Sequence, residues 1–283
     1  MRDGVDDSSN AGFLFCHEEG KQMKIVLFCG GLGMRLREHS DSVPKPMVEI
    51  GYRPILWHIM KYYAHFGHKD FILCLGYKGD VIKNYFLNYN ECISNDFVLT
   101  MGSREPKLLN SDIDDWTITF ADTGLKSNIG QRLEGVKQYL EDDDIFLANY
   151  ADGLTDLHLP SMMDYFMKQD KIAMFVSVKP SHSFHVVTIK DDGDQVSGIE
   201  HLTNSSIWMN GGFFIFRKQI FDYIKEGEEL VNEPFQRLIK EGQLITYKYD
   251  GFWVAMDTFK DKQLLEELHE KGSSPWQVWN SNK

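Results

Sequence analysis

The sequence has no long apolar run, no excess of basic residues and no closely spaced pair of cysteines. Without an uninterrupted run of about 18 apolar residues, no segment is expected to span a membrane. The net charge of −12 at pH 7 disfavours nonspecific binding to nucleic acid, because the overall field repels a polyanion. Any phosphate ligand must therefore be met by local positive charge.

The four cysteines, Cys16, Cys29, Cys74 and Cys92, lie far apart, without C-x-x-C spacing. Cys29 and Cys74 fall inside apolar, strand-like segments, where a cysteine serves as a small hydrophobic residue. We expect buried free thiols in a cytoplasmic protein.

Residues 1–22 form a segment unlike a signal peptide, because the apolar part is short and its flanks are acidic. Met23 directly precedes the first strong strand-like run. We expect residues 1–22 to be a flexible leader or the product of a misassigned start codon, and residues 23–283 to form one domain.

The first part of this domain alternates apolar strand-like runs with amphipathic helical segments. Strands are predicted at 24–29, 70–77, 116–122 and 144–153, and helices at 54–66, 81–89 and 132–140. This alternation predicts an α/β fold with a mostly parallel central sheet, helices on both faces and a ligand site at the carboxyl ends of the strands.

After Pro160 the pattern changes to closely spaced strands. Strands are predicted at 172–179, 185–190, 212–217 and 243–250, and helices at 219–224, 234–240 and 261–270. The sequence therefore predicts a first half, residues 23–159, and a mixed, partly antiparallel second half, residues 160–283, that forms a smaller lobe over the site.

A glycine-rich loop follows the first strand. Gly30, Gly31 and Gly33 would let backbone N–H groups approach a phosphate closely. The loop has neither the G-K-[ST] ending of a P-loop nor the G-x-G-x-x-G dinucleotide fingerprint. A sharp strand-to-helix turn is the alternative interpretation.

Positive charge follows this loop. Arg35 comes shortly after the glycines, and Lys45 lies between Pro44 and Pro46, which restrict the backbone on both sides. An ammonium group held on a stiff segment suits a polyphosphate whose charge must be stabilised.

Two aspartates, Asp152 and Asp257, each come just after a predicted strand or apolar run. Two carboxylates at strand ends can hold Mg²⁺, which usually keeps substrate phosphates among its ligands. Helix capping or a turn is the alternative for each, and for Asp156 we prefer that alternative.

Two further loops carry glycines, at 122–133 and 209–216, and the second also carries an amide. Such loops suit a base or a polyhydroxyl ligand, with plain turn chemistry as the alternative. His182 and His185 lack a third metal ligand of suitable spacing, so we interpret them as surface or cleft histidines. Neither a G-x-S-x-G elbow nor an identifiable cysteine nucleophile is present.

Taken in order, the segments GGLGMRL, PKPMVEIG, PILWHIM, GYKG, NGGFF and MDT resemble the sugar-nucleotide pyrophosphorylases, a family of nucleotidyltransferases, and within it the cytidylyltransferases. The resemblance covers Met23 to about Trp279. It implies a Rossmann-like nucleotidyltransferase fold, a homo-oligomer and an Mg²⁺-dependent enzyme for surface polysaccharide synthesis. Its substrates would be CTP and a sugar 1-phosphate, such as glucose 1-phosphate, and its products a CDP-sugar and pyrophosphate.

In that reaction the acceptor phosphate itself attacks the α-phosphorus in line, so the protein supplies position and charge without a covalent residue. The resemblance implies roles for residues of this chain, as follows. Catalysis falls to Arg35 and Lys45; nucleotide binding to Gly30, Gly31, Leu32, Gly33, Arg35, Lys45, Gly76, Thr123 and Arg132; acceptor binding to Asp152, Glu200, His201, Asn210 and Gly211; and metal binding to Asp152 and Asp257.

The chain departs from the family on the acceptor side. The family carries E-K-P before N-G-G, with the lysine on the phosphate of the sugar phosphate, whereas this chain has Glu200 and His201. Met34 replaces a threonine of the glycine loop, and 183–189 replaces an R-F-G-like run. His201 or His185 would supply the missing cation, which makes acceptor KM depend on pH between about 6 and 8.

Two alternatives follow from this altered region. One is a cytidylyltransferase for a non-sugar acceptor, such as a phosphorylated amino acid or a phosphonate. The other is a nucleotide-binding paralogue without activity, which the retained Lys45, Asp152 and Asp257 disfavour.

Overall fold

The computed structural model describes residues 22–31, 43–180, 184–191 and 193–280. Within these ranges the chain forms sixteen strands and six α-helices. The strands are β1 (Lys24–Phe28), β2 (Glu49–Ile50), β3 (Arg53–Pro54), β4 (Asp70–Leu75), β5 (Phe97–Leu99), β6 (Pro106–Leu108), β7 (Thr117–Asp122), β8 (Ile145–Tyr150), β9 (Gly153–Thr155), β10 (Ala173–Val178), β11 (His185–Ile189), β12 (Val196–His201), β13 (Met209–Asn210), β14 (Phe214–Arg217), β15 (Leu244–Tyr249) and β16 (Trp253–Ala255). The α-helices are α1 (Ile55–His65), α2 (Gly79–Leu87), α3 (Ile129–Gly135), α4 (Leu159–Met167), α5 (Glu233–Lys240) and α6 (Phe259–Glu270).

Short 3₁₀ helices complete the described secondary structure. They span Lys45–Met47, Glu91–Ile93, Lys137–Leu140, Leu202–Asn204, Lys218–Tyr223 and Val278–Asn280.

The central sheet has the strand order β13-β10-β14-β8-β1-β4-β7, and β15 pairs with the free side of β10. Strands β8, β1, β4 and β7 are parallel neighbours, as are β10 and β15. Strand β14 joins β8 and β10 through antiparallel pairing. The predicted mostly parallel sheet is confirmed, and each of its antiparallel pairings involves a strand from the second half of the chain.

Helices cover both faces of this sheet because its central strands are apolar on both sides. In β1, Ile25 and Leu27 pack with helix α1 on one face. Val26 and Phe28 point the other way and pack with helices α3 and α5. A strand buried on both faces reads as a continuous apolar run, which is how KIVLF appears in the sequence.

Helix α4 was not predicted, and it occupies much of the interval between Pro160 and the strand predicted at 172–179. Pro160 lies in the first turn of this helix, where its missing N–H leaves no hydrogen bond unmade. Leu159, Met162 and Phe166 recur at helical spacing and are buried.

Two other predicted helices differ in detail. The segment predicted as one helix over 132–140 divides into α3 and the 3₁₀ helix Lys137–Leu140. The segment predicted at 219–224 is the 3₁₀ helix Lys218–Tyr223. The remaining predicted helices and strands are present, with bounds shifted by a few residues.

The cysteine prediction is confirmed for Cys29 and Cys74, which are free and buried. Burial raises the pKa of both thiols, so neither is poised as a nucleophile. None of the helices in the described ranges is both long enough and apolar enough to cross a bilayer.

Candidate active site

The short antiparallel ladder of β9 and β16 places two distant aspartates together. Ala255 pairs with Gly153, and Met256 N donates to Asp152 O at 2.9 Å. Asp152 precedes β9 and Asp257 follows β16, so both carboxylates lie at the same end of the ladder. The pairing converts a long separation in sequence into one cluster at the edge of the sheet.

Lys45 joins these aspartates. Its Nζ donates to Asp152 Oδ2 at 2.6 Å and to Asp257 Oδ1 at 2.7 Å. Burial alone would lower the pKa of this ammonium, but the charges and hydrogen bonds of the two carboxylates outweigh burial and raise it. Lys45 therefore stays charged throughout the neutral range.

Local sequence explains where Lys45 lies. Pro44 is extended and ends the preceding segment, and Lys45–Met47 forms a 3₁₀ turn with Pro46 in its first positions. Pro46 and Met47 are buried, which fixes the turn to the core. The structure brings the P-K-P lysine and both predicted metal-binding aspartates into direct contact.

The two carboxylates suit a hard divalent cation, because both already converge on one positive group. In the described part of the chain, no group of three or more His, Cys, Asp or Glu side chains is arranged so that it could hold a metal ion. Mg²⁺ typically uses one or two carboxylates and completes its shell with water and substrate phosphates. Asp152 and Asp257 therefore fit Mg²⁺ bound together with a phosphorylated substrate.

A pocket of about 250 Å³ opens beside this cluster. Its lining residues are Asn149, Tyr150, Asp152, Gly153, Asn210, Gly211, Trp253, Ala255 and Asp257. Asn210 Nδ2 donates to Tyr150 OH at 3.3 Å, and Trp253 Nε1 donates to Gly211 O at 2.9 Å. Amide, hydroxyl and backbone groups beside aromatic rings suit a small polyhydroxyl ligand.

Tyr150 and Trp253 are part of this pocket but were not predicted from the sequence. Both stand close to predicted residues, Tyr150 two positions before Asp152 and Trp253 four positions before Asp257. The sequence signal that could have identified them is an aromatic residue close to a carboxylate at the end of a strand.

Arg132 organises the other side of the cleft. Its Nη1 donates to Leu75 O at 3.1 Å and to Thr123 Oγ1 at 2.8 Å, and its Nη2 donates to Gly30 O at 3.0 Å. Leu75, Thr123 and Gly30 lie at the carboxyl ends of three neighbouring parallel strands. The buried guanidinium thus ties these strand ends together.

This arrangement explains two of the predicted glycines. A Cβ on Gly30 would lie 2.0 Å from Arg132 Nη1, and a Cβ on Gly76 would lie 2.9 Å from the same atom. Both positions therefore exclude a side chain. The structure brings Gly30, Gly76, Thr123 and Arg132 into one cluster, in which Arg132 donates to protein oxygens.

Several residues named from the sequence lie at the limit of the described ranges or outside them. Gly31 is exposed at the end of the first described range, while Leu32, Gly33, Met34, Arg35 and His182 lie outside the described residues.

Glu200 and His201 lie at the end of β12 and are not among the residues that line the pocket. His201 Nδ1 is 2.7 Å from Thr203 Oγ1, and its ring meets that of His185 edge to face at 5.2 Å between centroids. Whether these residues contact an acceptor stays a prediction, whereas Asn210 and Gly211 do line the pocket.

Asp156 forms long-range contacts instead of the predicted cap or turn contacts. Its carboxylate accepts hydrogen bonds from Phe252 N at 2.9 Å and from Tyr249 OH. Asp156 therefore fastens the loop between β15 and β16, which leads to Asp257.

Comparisons with known proteins agree with this geometry. The model of the family described as nucleotidyl transferase matches residues 24–269, so the chain belongs to that family. The motif-based resemblance to the sugar-nucleotide pyrophosphorylases is thereby confirmed.

Among individual proteins, the chain is 41% identical over 258 residues to glucose-1-phosphate cytidylyltransferase of Salmonella typhimurium, covering 91% of this chain and 100% of that protein. The enzyme of the same description from Salmonella typhi gives the same identity and coverage. A UDP-glucose pyrophosphorylase structure complexed with UDP-glucose superposes with a TM-score of 0.65 at 13% identity, covering 89% of this chain and 100% of the other. The structure of HddC from Yersinia pseudotuberculosis superposes with a TM-score of 0.64 at 20% identity, covering 88% of this chain and 100% of that chain. These two structures support the fold.

Proposed function

We propose that the protein is a cytidylyltransferase that condenses CTP with a sugar 1-phosphate, glucose 1-phosphate or a similar one, to give a CDP-sugar and pyrophosphate. The observation that carries this proposal is the contact of Lys45 with Asp152 and Asp257, two aspartates that also line the pocket. The full-length match to the Salmonella cytidylyltransferases supports the choice of CTP and of the acceptor class.

In the proposed reaction, a phosphate oxygen of the acceptor attacks the α-phosphorus of CTP. The new P–O bond forms as the bond from the α-phosphorus to the bridging oxygen breaks, and that electron pair leaves with pyrophosphate. Both reactants are anions, so alignment and charge neutralisation are the main tasks of the protein. A side-chain nucleophile is not needed.

Lys45 has the properties that this task requires. An ammonium group has three donors, and within the described residues two of them are used by Asp152 and Asp257. The third is available to a phosphate oxygen. Because the carboxylates fix the ammonium before substrate binds, little reorganisation is needed when charge builds up.

We propose that Asp152 and Asp257 hold Mg²⁺, and that the activity depends on it. Bound there, the ion would neutralise charge on the phosphates of the substrates. Asp152 also faces the acceptor side, since it lines the same pocket as Asn210 and Gly211.

The nucleotide would occupy the cleft at the strand ends of the first half, and the acceptor would occupy the second half. The proposed nucleotide-binding residues are Gly30, Gly31, Leu32, Gly33, Arg35, Lys45, Gly76, Thr123 and Arg132. The proposed acceptor-binding residues are Asp152, Glu200, His201, Asn210 and Gly211. Arg132 acts by holding Gly30, the first glycine of the glycine-rich loop, through a hydrogen bond to its carbonyl oxygen.

The proposal is tested by a crossed screen of purified full-length protein. Five nucleoside triphosphates, CTP, UTP, GTP, ATP and dTTP, are combined with glucose 1-phosphate, other sugar 1-phosphates, a phosphorylated amino acid and an aminoalkyl phosphonate. Pyrophosphate release and product mass are measured with Mg²⁺ and with EDTA, and an acceptor-free control removes simple hydrolysis of the triphosphate.

We expect turnover with CTP and a sugar 1-phosphate, and its loss in EDTA. Turnover restricted to a non-sugar acceptor would replace the sugar proposal with the second candidate, which the change to His201 in the E-K-P region favours. Nucleotide binding without pyrophosphate release from any combination would contradict an enzymatic role altogether.

The wider setting is also a proposal. A CDP-sugar made from CTP and a sugar phosphate would supply surface polysaccharide synthesis from the cytoplasm, where both substrates occur. Exposed apolar side chains of the β5–β6 hairpin and the following loop, including Phe97, Val98 and Met101, support assembly into a homo-oligomer. Sedimentation velocity of the full chain tests that assembly.

A further inference from the structure

Two lysines flank one indole ring on the acceptor side of the sheet. Lys179 Nζ lies 4.6 Å from the ring centroid of Trp208, and Lys248 Nζ lies 5.4 Å from the same centroid. Both distances are within the range of cation–π attraction. The indole therefore gathers two ammonium groups that would otherwise repel each other.

Strand register places this cluster beside the pocket. Ser177 of β10 pairs with Asn210 of β13 on one side and with Lys248 of β15 on the other. Residues in register on neighbouring strands share a face, so Lys248 and Asn210 stand on the same face of the sheet, and Asn210 lines the pocket. Lys179 comes directly after the end of β10, and its ammonium lies over the same Trp208 ring as that of Lys248.

The strand order sets the direction from the reacting groups to the lysines. Asp152 follows β8, and β14, β10 and β15 lie successively farther out. Neighbouring strands are about 4.8 Å apart, so Lys179 and Lys248 lie on the order of 10–15 Å outward from the strand that leads to Asp152. A phosphate at Asp152 would thus leave the far end of a sugar ring pointing towards the lysines.

The pocket lining carries negative charge, and the neighbouring Lys179 and Lys248 carry positive charge. The charged residues that line the pocket are Asp152 and Asp257, and both are acidic. Lys179 is half-buried, and its Nζ also donates to Ser205 O, which holds it at the base of the β11–β12 hairpin. Lys248 is exposed. These two ammonium groups can meet negative charge that approaches from the pocket.

We propose that Lys179 and Lys248, assembled on Trp208, form a subsite for a second anionic group on the acceptor, at the end opposite its reacting phosphate. The acceptor class is then a sugar 1-phosphate that also carries a carboxylate or a second phosphate. This proposal rests on the proposed function and narrows its substrate.

A matched pair of acceptors tests the subsite. Glucose 1-phosphate and glucuronic acid 1-phosphate differ only in the group at C6, so the ratio of their kcat/KM values with saturating CTP reports on the added charge. We expect the wild-type ratio to favour glucuronic acid 1-phosphate on the order of tenfold, as for one charge-assisted contact, and to fall with added salt.

Substitutions then locate the effect. Lys179→Gln and Lys248→Gln should each move the ratio towards one, and Lys179→Arg and Lys248→Arg should retain most of it. Lys190→Gln is the matched control, because Lys190 is an exposed lysine of the adjacent hairpin, paired with Gln195. Circular dichroism and thermal melting verify that each variant is folded.

The outcomes separate the subsite from the proposed function. Equal use of both acceptors by the wild type, or a preference unchanged in both Gln variants, overturns the subsite while cytidylyl transfer stands. If neither acceptor is turned over, calorimetric binding of the two sugar phosphates decides: tighter binding of glucuronic acid 1-phosphate that is lost in the variants supports the subsite. Equal or undetectable binding overturns it.

Discussion

Replacing Lys45 by methionine removes the positive group at the centre of the site and retains an unbranched side chain. The Lys45 side chain is 15% exposed, so its charge acts in a partly desolvated setting. Removing one preorganised donor from a site of developing negative charge typically costs about 10²–10³ in kcat, or about 3–4 kcal/mol. We expect a loss of that size for Lys45→Met.

The cost in folding should be much smaller. The side chains of Asp152 and Asp257 are 26% and 46% exposed, so water can solvate both carboxylates once the ammonium is gone. For such partly exposed pairs the loss in the free energy of unfolding is about 1 kcal/mol or less. The variant should therefore melt near the wild-type temperature.

The assay is steady-state pyrophosphate release, with urea unfolding measured in parallel. Lys69→Met serves as the control, because Lys69 forms an exposed ion pair with Asp115 far from the site. Lys45→Arg should retain part of the activity, since the charge remains but its shape differs. A kcat that falls less than about tenfold in Lys45→Met, with the fold intact, would refute the reasoning.

Three further predictions concern the site and its support. Asp152→Asn should abolish turnover and weaken Mn²⁺ binding, which is measured by water proton relaxation. Its circular dichroism spectrum should be unchanged. An unaffected rate would contradict the metal-binding role of Asp152. Gly30→Ala should lower the free energy of unfolding by about 2–4 kcal/mol, since its Cβ would fall 2.0 Å from the buried Arg132 guanidinium, whereas Gly31→Ala has no described atom within 4 Å and should change it little. Burial lowers the pKa of His58 to about 4 in the folded protein. The unfolded chain therefore takes up this proton at a higher pH than the folded protein does. The free energy of unfolding should fall by about 3 kcal/mol as the pH drops from about 6.5 to 4. His58→Gln should flatten that part of the acid-unfolding profile, and an unchanged profile would contradict the assignment.

Local patterns predicted the parts of this protein that depend on local chemistry. The apolar strands of the parallel sheet, the stiff P-K-P segment and the strand-end positions of Asp152 and Asp257 could all be predicted, because each follows from a short run of residues. Their convergence on Lys45 depends on the antiparallel pairing of β16 with β9, which no single segment specifies.

Features that depend on distant partners were missed. The hydrogen bonds by which the Arg132 guanidinium holds three strand ends were not predicted, because they need the positions of three separate loops, while its part in nucleotide binding stays a prediction. Helix α4 was missed because Pro160 was taken as a change of pattern, although proline is favoured in the first turn of a helix. The lysines beside Trp208 come from strands whose pairing no single segment specifies.

Because β9 and β16 are far apart in the sequence, their three-residue ladder can form only late in the synthesis of the chain. Asp152 emerges from the ribosome long before Asp257, and at about 5–20 residues per second the delay is several seconds or more. During that interval the strands β1, β4, β7 and β8 and Lys45 have been synthesised, but the aspartate pair that we propose to bind Mg²⁺ is incomplete. We therefore expect no activity from a partly made copy until residues 253–257 have joined β9.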